Sequence, residues 1–537
     1  MTIQGNWDRT TVTRRRLLRW GGIGVGGLVI GSKGLLESTA VAKPFFRDDP
    51  FSLGVASGDP LPDGVVLWTR LAPEPLAEDG RGGLPPETYG VRFEVAEDEG
   101  FRRIVRRGAR EATPELAHSV HVEVDGLAPG REYFYRFKAG PEVSPIGRTK
   151  TAPPAAEPLN ELRIAVVSCH NYPSGYFTAH GHLAEEDLDL VFYLGDYIYE
   201  GEGQGGIGRG HQPAREVSSL EDYRVRYGQY KNDEQLQAAH AAHPFVVVLD
   251  DHEVENGWAG EHAQLEPGRD DDPQEFLRRR ARAFQAYYEH QPLRSSSIPR
   301  GPDMQLYRRL TYGTLVQFDV LDTRQYRSNQ VCGDGRSEPN KERPCPESAA
   351  AERSILGEEQ EAWLFEGLAS STARWNALAQ QKIFAQLDRD PGEGQLLSMD
   401  SWDGYVASRQ RVIAAVEEHS VANPVVLAGD SHQSWAFEVL ADFDDPSSDV
   451  VATEFAGTSI SSGGDGSEQK ADTPEILAEN PHLKFYNNRR GYMLCSITPE
   501  RWRTDYRVIQ YVSRPGAPIS TRATFVVEDG NPGLESE

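Results

Sequence analysis

The sequence predicts an α/β fold preceded by a small all-β domain. Two observations carry this. After residue 160, short apolar runs such as LRIAVV, LVFYL, FVVVL and PVVLA recur between helical stretches, and each stops abruptly at polar or charged residues. Between residues 46 and 153 the pattern is instead one of short strands with turn signals between them. The proline-rich segment TKTAPPAAEPLNE (Thr149–Glu161) reads as the linker between the two parts.

A chain of 537 residues with 38% hydrophobic content has material for a large core and more than one domain. Its 82 acidic and 56 basic residues leave a formal charge of −26, which argues against general nucleic-acid binding and against adhesion to anionic membranes. Four cysteines, Cys169, Cys332, Cys345 and Cys495, are too few for a disulfide framework. Cys332 and Cys345 bracket a polar loop that an oxidising compartment would staple, whereas Cys169 ends a strand.

The amino terminus is an address. TRRRLLR (Thr13–Arg19) and the short glycine-rich apolar run that follows form a twin-arginine signal, with Ala40 and Ala42 as a cleavage site. Residues 1–42 are therefore expected to be removed, with the export machinery as a partner and a secreted or cell-envelope location. No later segment is apolar enough to span a bilayer.

In the all-β part (46–153), strands are expected at Gly64–Leu71, Tyr89–Ala96, His118–Leu127 and Arg131–Gly140. LAPGREYFYRF resembles the tyrosine corner of fibronectin and immunoglobulin-like sandwiches, with Leu127, Pro129, Gly130 and Tyr133 in the expected order. With no cluster of ligating residues, this domain is read as a scaffold. The second part (160–515) is read as catalytic, and 516–537 as a strand and tail.

The chemistry gathers at strand ends. Leu190–Leu194 stops at Gly195 and delivers Asp196 and Tyr199. LRIAVV ends in Ser168, Cys169, His170 and Asn171, and FVVVL ends in Asp250, Asp251, His252 and Glu253. PVVLA ends in Asp430 and His432. Each motif taken singly also reads as a solvated turn; four strand ends carrying Cys, Asp, Tyr and His together point to metal.

The order SCHNY, GDYIY, DDHE, GDSHQ resembles the metallophosphoesterase superfamily, and within it the alkaline phosphatase D (PhoD) branch, which also includes phospholipase D enzymes. The likeness extends to FSLGVASGDPLPDGVVLWTRL (Phe51–Leu71), WDGY (Trp402–Tyr405), EFAGTSISSGG (Glu454–Gly464) and TPERWRTDYRV (Thr498–Val508). It implies a core of two mixed β-sheets packed between helices and a secreted phosphoester hydrolase, an alkaline phosphatase with phosphodiesterase activity. Such an enzyme uses a metal-activated hydroxide to release phosphate from organic phosphoesters. The alternative is a phospholipase D acting on phospholipid headgroups.

Carried over position by position, Cys169, Asp196, Tyr199 and His432 would hold one ion, and Asp196, Asp251 and Asp430 the second. Thiolate and phenolate favour Fe(III); carboxylates in place of amide and imidazole favour Ca(II). The resemblance implies a further calcium, with Asp250, Asn256 or Asp403 as sources of oxygen. His252 matches the residue that protonates the leaving oxygen or contacts phosphate. His170 either lines the pocket or fills space. Arg324 either clamps a phosphate or pairs with Asp322, and Trp258 and Trp402 either line the pocket or lie in the core. A scaffold protein with a dead metal domain would have lost ligands, and all the matching positions here hold metal-binding groups. A serine hydrolase lacks its GxSxG elbow in this chain.

Overall fold

Apolar strands of five or six residues, buried on both faces, can only persist in parallel sheets covered on both sides, and the computed structural model assembles them that way. Residues 46–203, 205–264, 272–332 and 341–537 are described; the twin-arginine segment lies outside them. Four parallel strands, Leu162–Val167, Leu190–Leu194, Pro244–Val248 and Val55–Leu61, form the centre of a ten-stranded mixed sheet. Four more parallel strands, Val316–Val320, Trp375–Ala379, Pro424–Ala428 and Val450–Ala456, form the centre of a seven-stranded one.

The two sheets share one apolar core. Ile164, Phe192 and Val246 of the larger sheet and Phe318, Ala377 and Leu427 of the smaller belong to a single buried cluster. The rings of Phe192 and Phe318 lie 4.7 Å apart, centre to centre. Each such side chain, fully withdrawn from water, contributes about 1.5–3 kcal/mol. Helices cover the outer faces. Leu364 and Leu368 of Glu358–Ser370 and Val412 and Val416 of Val406–Glu418 pack on Leu378 and Val426. Ala179 and Leu183 of Thr178–Glu185, with Leu236 and Ala239 of Glu234–Ala242, join the cluster of the larger sheet. The α/β class and the two mixed sheets between helices agree with the sequence.

The expected division at residues 153–160 does not hold as a division between sheets. Val55–Leu61, Gly64–Arg70 and Ser119–Asp125 continue the ten-stranded sheet, with Ser57 and Gly58 in register with Pro244 and Phe245. Facing them, Tyr89–Ala96, Ile104–Ala112 and Glu132–Ala139 belong to a separate five-stranded sheet. Val65, Leu67 and Val122 of one layer and Val91, Val95 and Phe137 of the other fill the sandwich core. One face of the sandwich is thus built from the ten-stranded sheet itself. Trp68 donates its indole N–H to the carbonyl of Glu289 (3.0 Å), and His121 bonds the carbonyls of Tyr288 and Gln291 (3.0 Å each), at the end of helix Pro273–His290. The carboxyl terminus is likewise part of the sheet. Ile519–Glu528 and Asn531–Ser536 complete its other edge beyond Arg501–Ile509, where a strand and a tail were expected.

The tyrosine corner is present: the backbone N–H of Ala128 donates to the Tyr133 hydroxyl at 2.8 Å. Tyr133→Phe removes that acceptor and is expected to cost about 1 kcal/mol, measured as a lowered urea midpoint with unchanged metal content.

Candidate metal centre

In both sheets the parallel strands deliver their carboxyl ends to the site, the edge at which open α/β sheets bind ligands. From the larger sheet come Cys169, two residues after Val167; Asp196, after Leu194; and Asp250 and Asp251, after Val248. From the smaller come Arg324, after Val320; Lys382, after Ala379; Asp430 and His432, after Ala428; and Ser462, after Ala456. The backbone at this edge is unusual. Cys169, Asp196, Asp430 and His432 all have φ between 57° and 59°, the left-handed region that side chains other than glycine seldom adopt. Such strain, about 1–3 kcal/mol per residue, clusters where side chains must be aimed. Gly195 explains part of it. At φ 93° it lies so close to the next strand that a Cβ there would meet Asp250 Cβ at 2.4 Å and its backbone N at 2.7 Å.

The side chains converge. Ligand atoms of Cys169, Asp196 and His432 lie within 4.8 Å of one another, as do those of Asp196, Asp251 and His252, and those of Asp196, Asp250, Asp251 and Asp430. Asp196 belongs to all three groups. The Tyr199 hydroxyl joins the first, 3.0 Å from Asp196 Oδ2, 3.1 Å from His432 Nε2 and 2.7 Å from Ser462 Oγ. The Cys169 thiol, the Tyr199 phenol and the His432 imidazole therefore gather about Asp196 in one group, and Asp250, Asp251 and Asp430 gather about it in another, with His252 close to Asp196 and Asp251. The resemblance implies that the first set would hold one ion and Asp196, Asp251 and Asp430 a second.

The donors fit cations. Cys169 and Asp196 are each 1% exposed. Burial pushes the Cys169 thiol up, and Asp196 and Asp430 push it further. Tyr199 is raised by burial and by Asp196 and Cys169. Burial also raises Asp196; His252 pulls the other way, and Asp251 and Asp250 add repulsion. Positive charge between these groups reverses that cost. Burial, Arg490 and His252 push His432 down to about 3, which leaves its imidazole neutral, the form that binds metal. Asp251 Oδ1 is buried with no hydrogen-bond partner among the described residues, as an oxygen reserved for an ion would be.

His252 lies against the Tyr199 ring, 4.2 Å between centres, and its Nδ1 is 2.7 Å from Glu200 Oε2. Burial lowers its pKa, but Glu200, Asp196 and Asp251 prevail and hold it well above the usual histidine range. Asn256 sits beside it: its backbone N–H donates to Glu200 Oε1 (2.7 Å) and its amide to Gln264 (2.6 Å).

Other sequence expectations are corrected. Arg324 is fully buried and does not pair its side chain with Asp322, whose carboxylate among the described residues accepts the backbone N–H of Arg324 and Gln325 and the amide of Gln325. Its guanidinium spans Asp250 (2.6 Å), Asp251 (3.0 Å) and Asp400 (2.8 Å), because a planar fork of donors satisfies several carboxylates at once. Asp403 lies outside the clustered ligand atoms. It is taken up by Arg409 (2.5 Å) and by the backbone N–H of Leu387. Asp250, by contrast, does join the cluster, with Arg324 at Oδ1 (2.6 Å) and Lys382 at Oδ2 (3.1 Å). His170 fills space: it stacks on Phe177 at 4.6 Å and meets His180 Nε2 at 3.0 Å. Trp258 and Trp402 are core residues with no exposed surface.

Lys382, Arg327, Asp400, Glu200, Ser462 and Arg490 escaped the sequence reading. Asp400 accepts from Arg324, Arg327 and Gln330 and forms an ion pair with Lys382. Arg490 donates to the carbonyls of His432 (2.6 Å) and Ser462 (2.7 Å), tying two site loops together. Lys382, in QQK directly after an apolar strand, carried the same strand-end signal as the ligands.

The described features have close counterparts. The family described as PhoD-like phosphatase matches residues 164–506, and its N-terminal domain, described as PhoD-like phosphatase, N-terminal domain, matches 37–153. Alkaline phosphatase D of Bacillus subtilis (strain 168) is 50% identical over 539 residues, covering 98% of this chain and 90% of that protein. A solved structure titled Structure of PhoD superposes with a TM-score of 0.87 at 52% identity, covering 92% of this chain and 93% of that one.

Because Gly195 permits both its own backbone angle and the approach of Asp250, Gly195→Ala is expected to destabilise the protein by roughly 1–3 kcal/mol. It should also lower activity on nitrophenyl phosphate at least tenfold, as displaced Asp196 and Asp250 lose register; thermal melts and initial rates check both.

Proposed function

The chain belongs to the PhoD-like phosphatase family and is an enzyme of the alkaline phosphatase type; on that premise, we propose that it is an exported, metal-dependent hydrolase of phosphomonoesters and diesters, holding Fe(III) and Ca(II). The observation that carries the metal reading is the place of Asp196 in all three ligand groups, with Cys169, Tyr199 and His432 gathered about it in one group and Asp251 and Asp430 in another. Deprotonated Cys169, Asp196, Tyr199, Asp251 and Asp430 would balance a trivalent and a divalent ion. Export is supported by the TRRRLLR motif and by the disulfide between Cys332 and Cys345, a bond that persists in oxidising compartments. Among the described residues no helix is long and apolar enough to cross a membrane.

When bound, such a pair of ions supplies a nucleophile at neutral pH and neutralises charge on the phosphoryl oxygens. The chain's own residues do the rest. Asp196 holds the two halves of the centre in register. Ser462 hydrogen-bonds the Tyr199 oxygen and donates to the carbonyl of Cys169 (2.8 Å), so the iron-side donors are aimed before any ion enters. Glu200 engages His252 Nδ1 and favours its protonated form, which leaves Nε2 to donate a proton to the leaving alkoxide.

Purified protein is expected to contain iron and calcium and to be coloured by phenolate-to-iron charge transfer. Tyr199→Phe should bleach that band; a colourless, iron-free and fully active preparation would refute the assignment. His252→Ala is expected to slow turnover of alkyl phosphates at least tenfold more than that of nitrophenyl phosphate, whose leaving group needs no proton. Equal losses would remove the acid role, and preferential hydrolysis of phosphatidylcholine over bis(nitrophenyl) phosphate would favour a phospholipase D.

A further inference from the structure

Lys382 is 1% exposed, and its ammonium lies among three carboxylates: Asp400 Oδ2 at 2.8 Å, Asp430 Oδ1 at 2.8 Å and Asp250 Oδ2 at 3.1 Å. Three carboxylate oxygens thus lie within ion-pairing distance of the one ammonium. The backbone is fixed to suit: the N–H of Lys382 donates to Gln380 Oε1 (2.8 Å), and Gln380 Nε2 donates back to the Lys382 carbonyl. Arg324 completes the arrangement from the other side. It takes Asp250 Oδ1 through Nε, and Asp251 Oδ2 through Nη2, an oxygen that also accepts the N–H of Gly257 at 2.8 Å.

Counted by oxygen, the carboxylates at the calcium side are rationed. Asp250 has Arg324 at Oδ1 (2.6 Å) and the Lys382 ammonium at Oδ2 (3.1 Å), an ion pair in which Oδ2 makes no hydrogen bond among the described residues. Asp251 keeps only Oδ1, the buried oxygen without a hydrogen-bond partner, and Asp430 keeps only Oδ2. Calcium takes six to eight oxygens, and its affinity rises with the number of charged ligands. A site offering three unrestricted carboxylates beside Asp196 would bind the ion tightly and leave few places for anything else.

We propose that Lys382, braced with Arg324 on Asp400, is a positioning residue that restricts Asp430 to one oxygen and, with Arg324, holds Asp250 off the calcium, so that coordination places remain for phosphate oxygens. This rests on the two-ion reading above. Its consequence is opposite to that of a merely structural lysine: removing the cation releases Asp430 Oδ1 and Asp250 Oδ2, and calcium binds more tightly while turnover falls.

The test titrates calcium into chelator-treated, iron-containing protein and into Lys382→Met, with Lys382→Gln as the second variant should the first not fold. Calorimetry and calcium-dependent melting give the affinity, and the iron band reports the other half of the centre. Both variants are expected to bind calcium roughly tenfold more tightly, to melt lower without it, to keep the iron band, and to lose at least tenfold in kcat on nitrophenyl phosphate. Calcium binding that is unchanged or weaker in the variants, with wild type binding normally, overturns this proposal alone. Wild type that binds neither iron nor calcium overturns the two-ion reading and this proposal with it.

Discussion

Four carboxylates with ligand atoms within 4.8 Å of one another, beside a buried thiol, are the constraint on which this structure depends. Two like charges 4 Å apart repel by about 4 kcal/mol at an effective dielectric constant of about 20, so the cluster needs positive charge. The protein provides part of it covalently. Arg324, Arg327 and Lys382 converge on Asp400 and extend to Asp250, Asp251 and Asp430. What they leave uncompensated lies around Asp196, Cys169 and Tyr199, where the groups are pushed toward their neutral forms. The proposed ions belong in that uncompensated region.

Two sheets are needed to build such a centre. The larger one contributes the Cys169 thiol, the Asp196 carboxylate and the Tyr199 phenol; the smaller one contributes Arg324 and Lys382 together with Asp430 and His432. Their registration is set by a core in which Phe192 packs on Phe318, and at the site edge by Ser462 and Arg490, which tie loops from both sheets. The left-handed backbone at Cys169, Asp196, Asp430 and His432 is tolerated because those flanking strands are fully buried. The amino-terminal sandwich contributes to the same rigidity. By lending three strands to the catalytic sheet and bonding the end of helix Pro273–His290, it supports Pro244–Val248, the strand that carries Asp250 and Asp251.

Much of this was legible in the chain. Leu190–Leu194 and Tyr89–Ala96 have the bounds their apolar patterns predict, and Tyr133 makes the bond its motif implies. The strand ends carrying Cys169, Asp196, Asp251, Asp430 and His432 do meet. Less legible was the fate of polar residues away from those motifs. Asp403 and Arg324 are as chemically competent as their neighbours, yet Arg409 occupies the one and three carboxylates occupy the other. Pairings across 74 or 76 residues leave no local periodicity to read.

The sequence by itself determined the class of fold and the family, because strand patterning and the motifs at strand ends are local properties of the chain. The tertiary structure alone decided which acids face the centre and which are neutralised, since that depends on where two sheets bring distant charges together. It also decided that the sandwich and the catalytic sheet are one hydrogen-bonded surface, because strand pairing between Val55–Leu61 and Pro244–Val248 is a long-range choice. Lys382 belongs wholly to this second kind of knowledge: an unremarked lysine in QQK becomes significant only when three carboxylates are found around its ammonium.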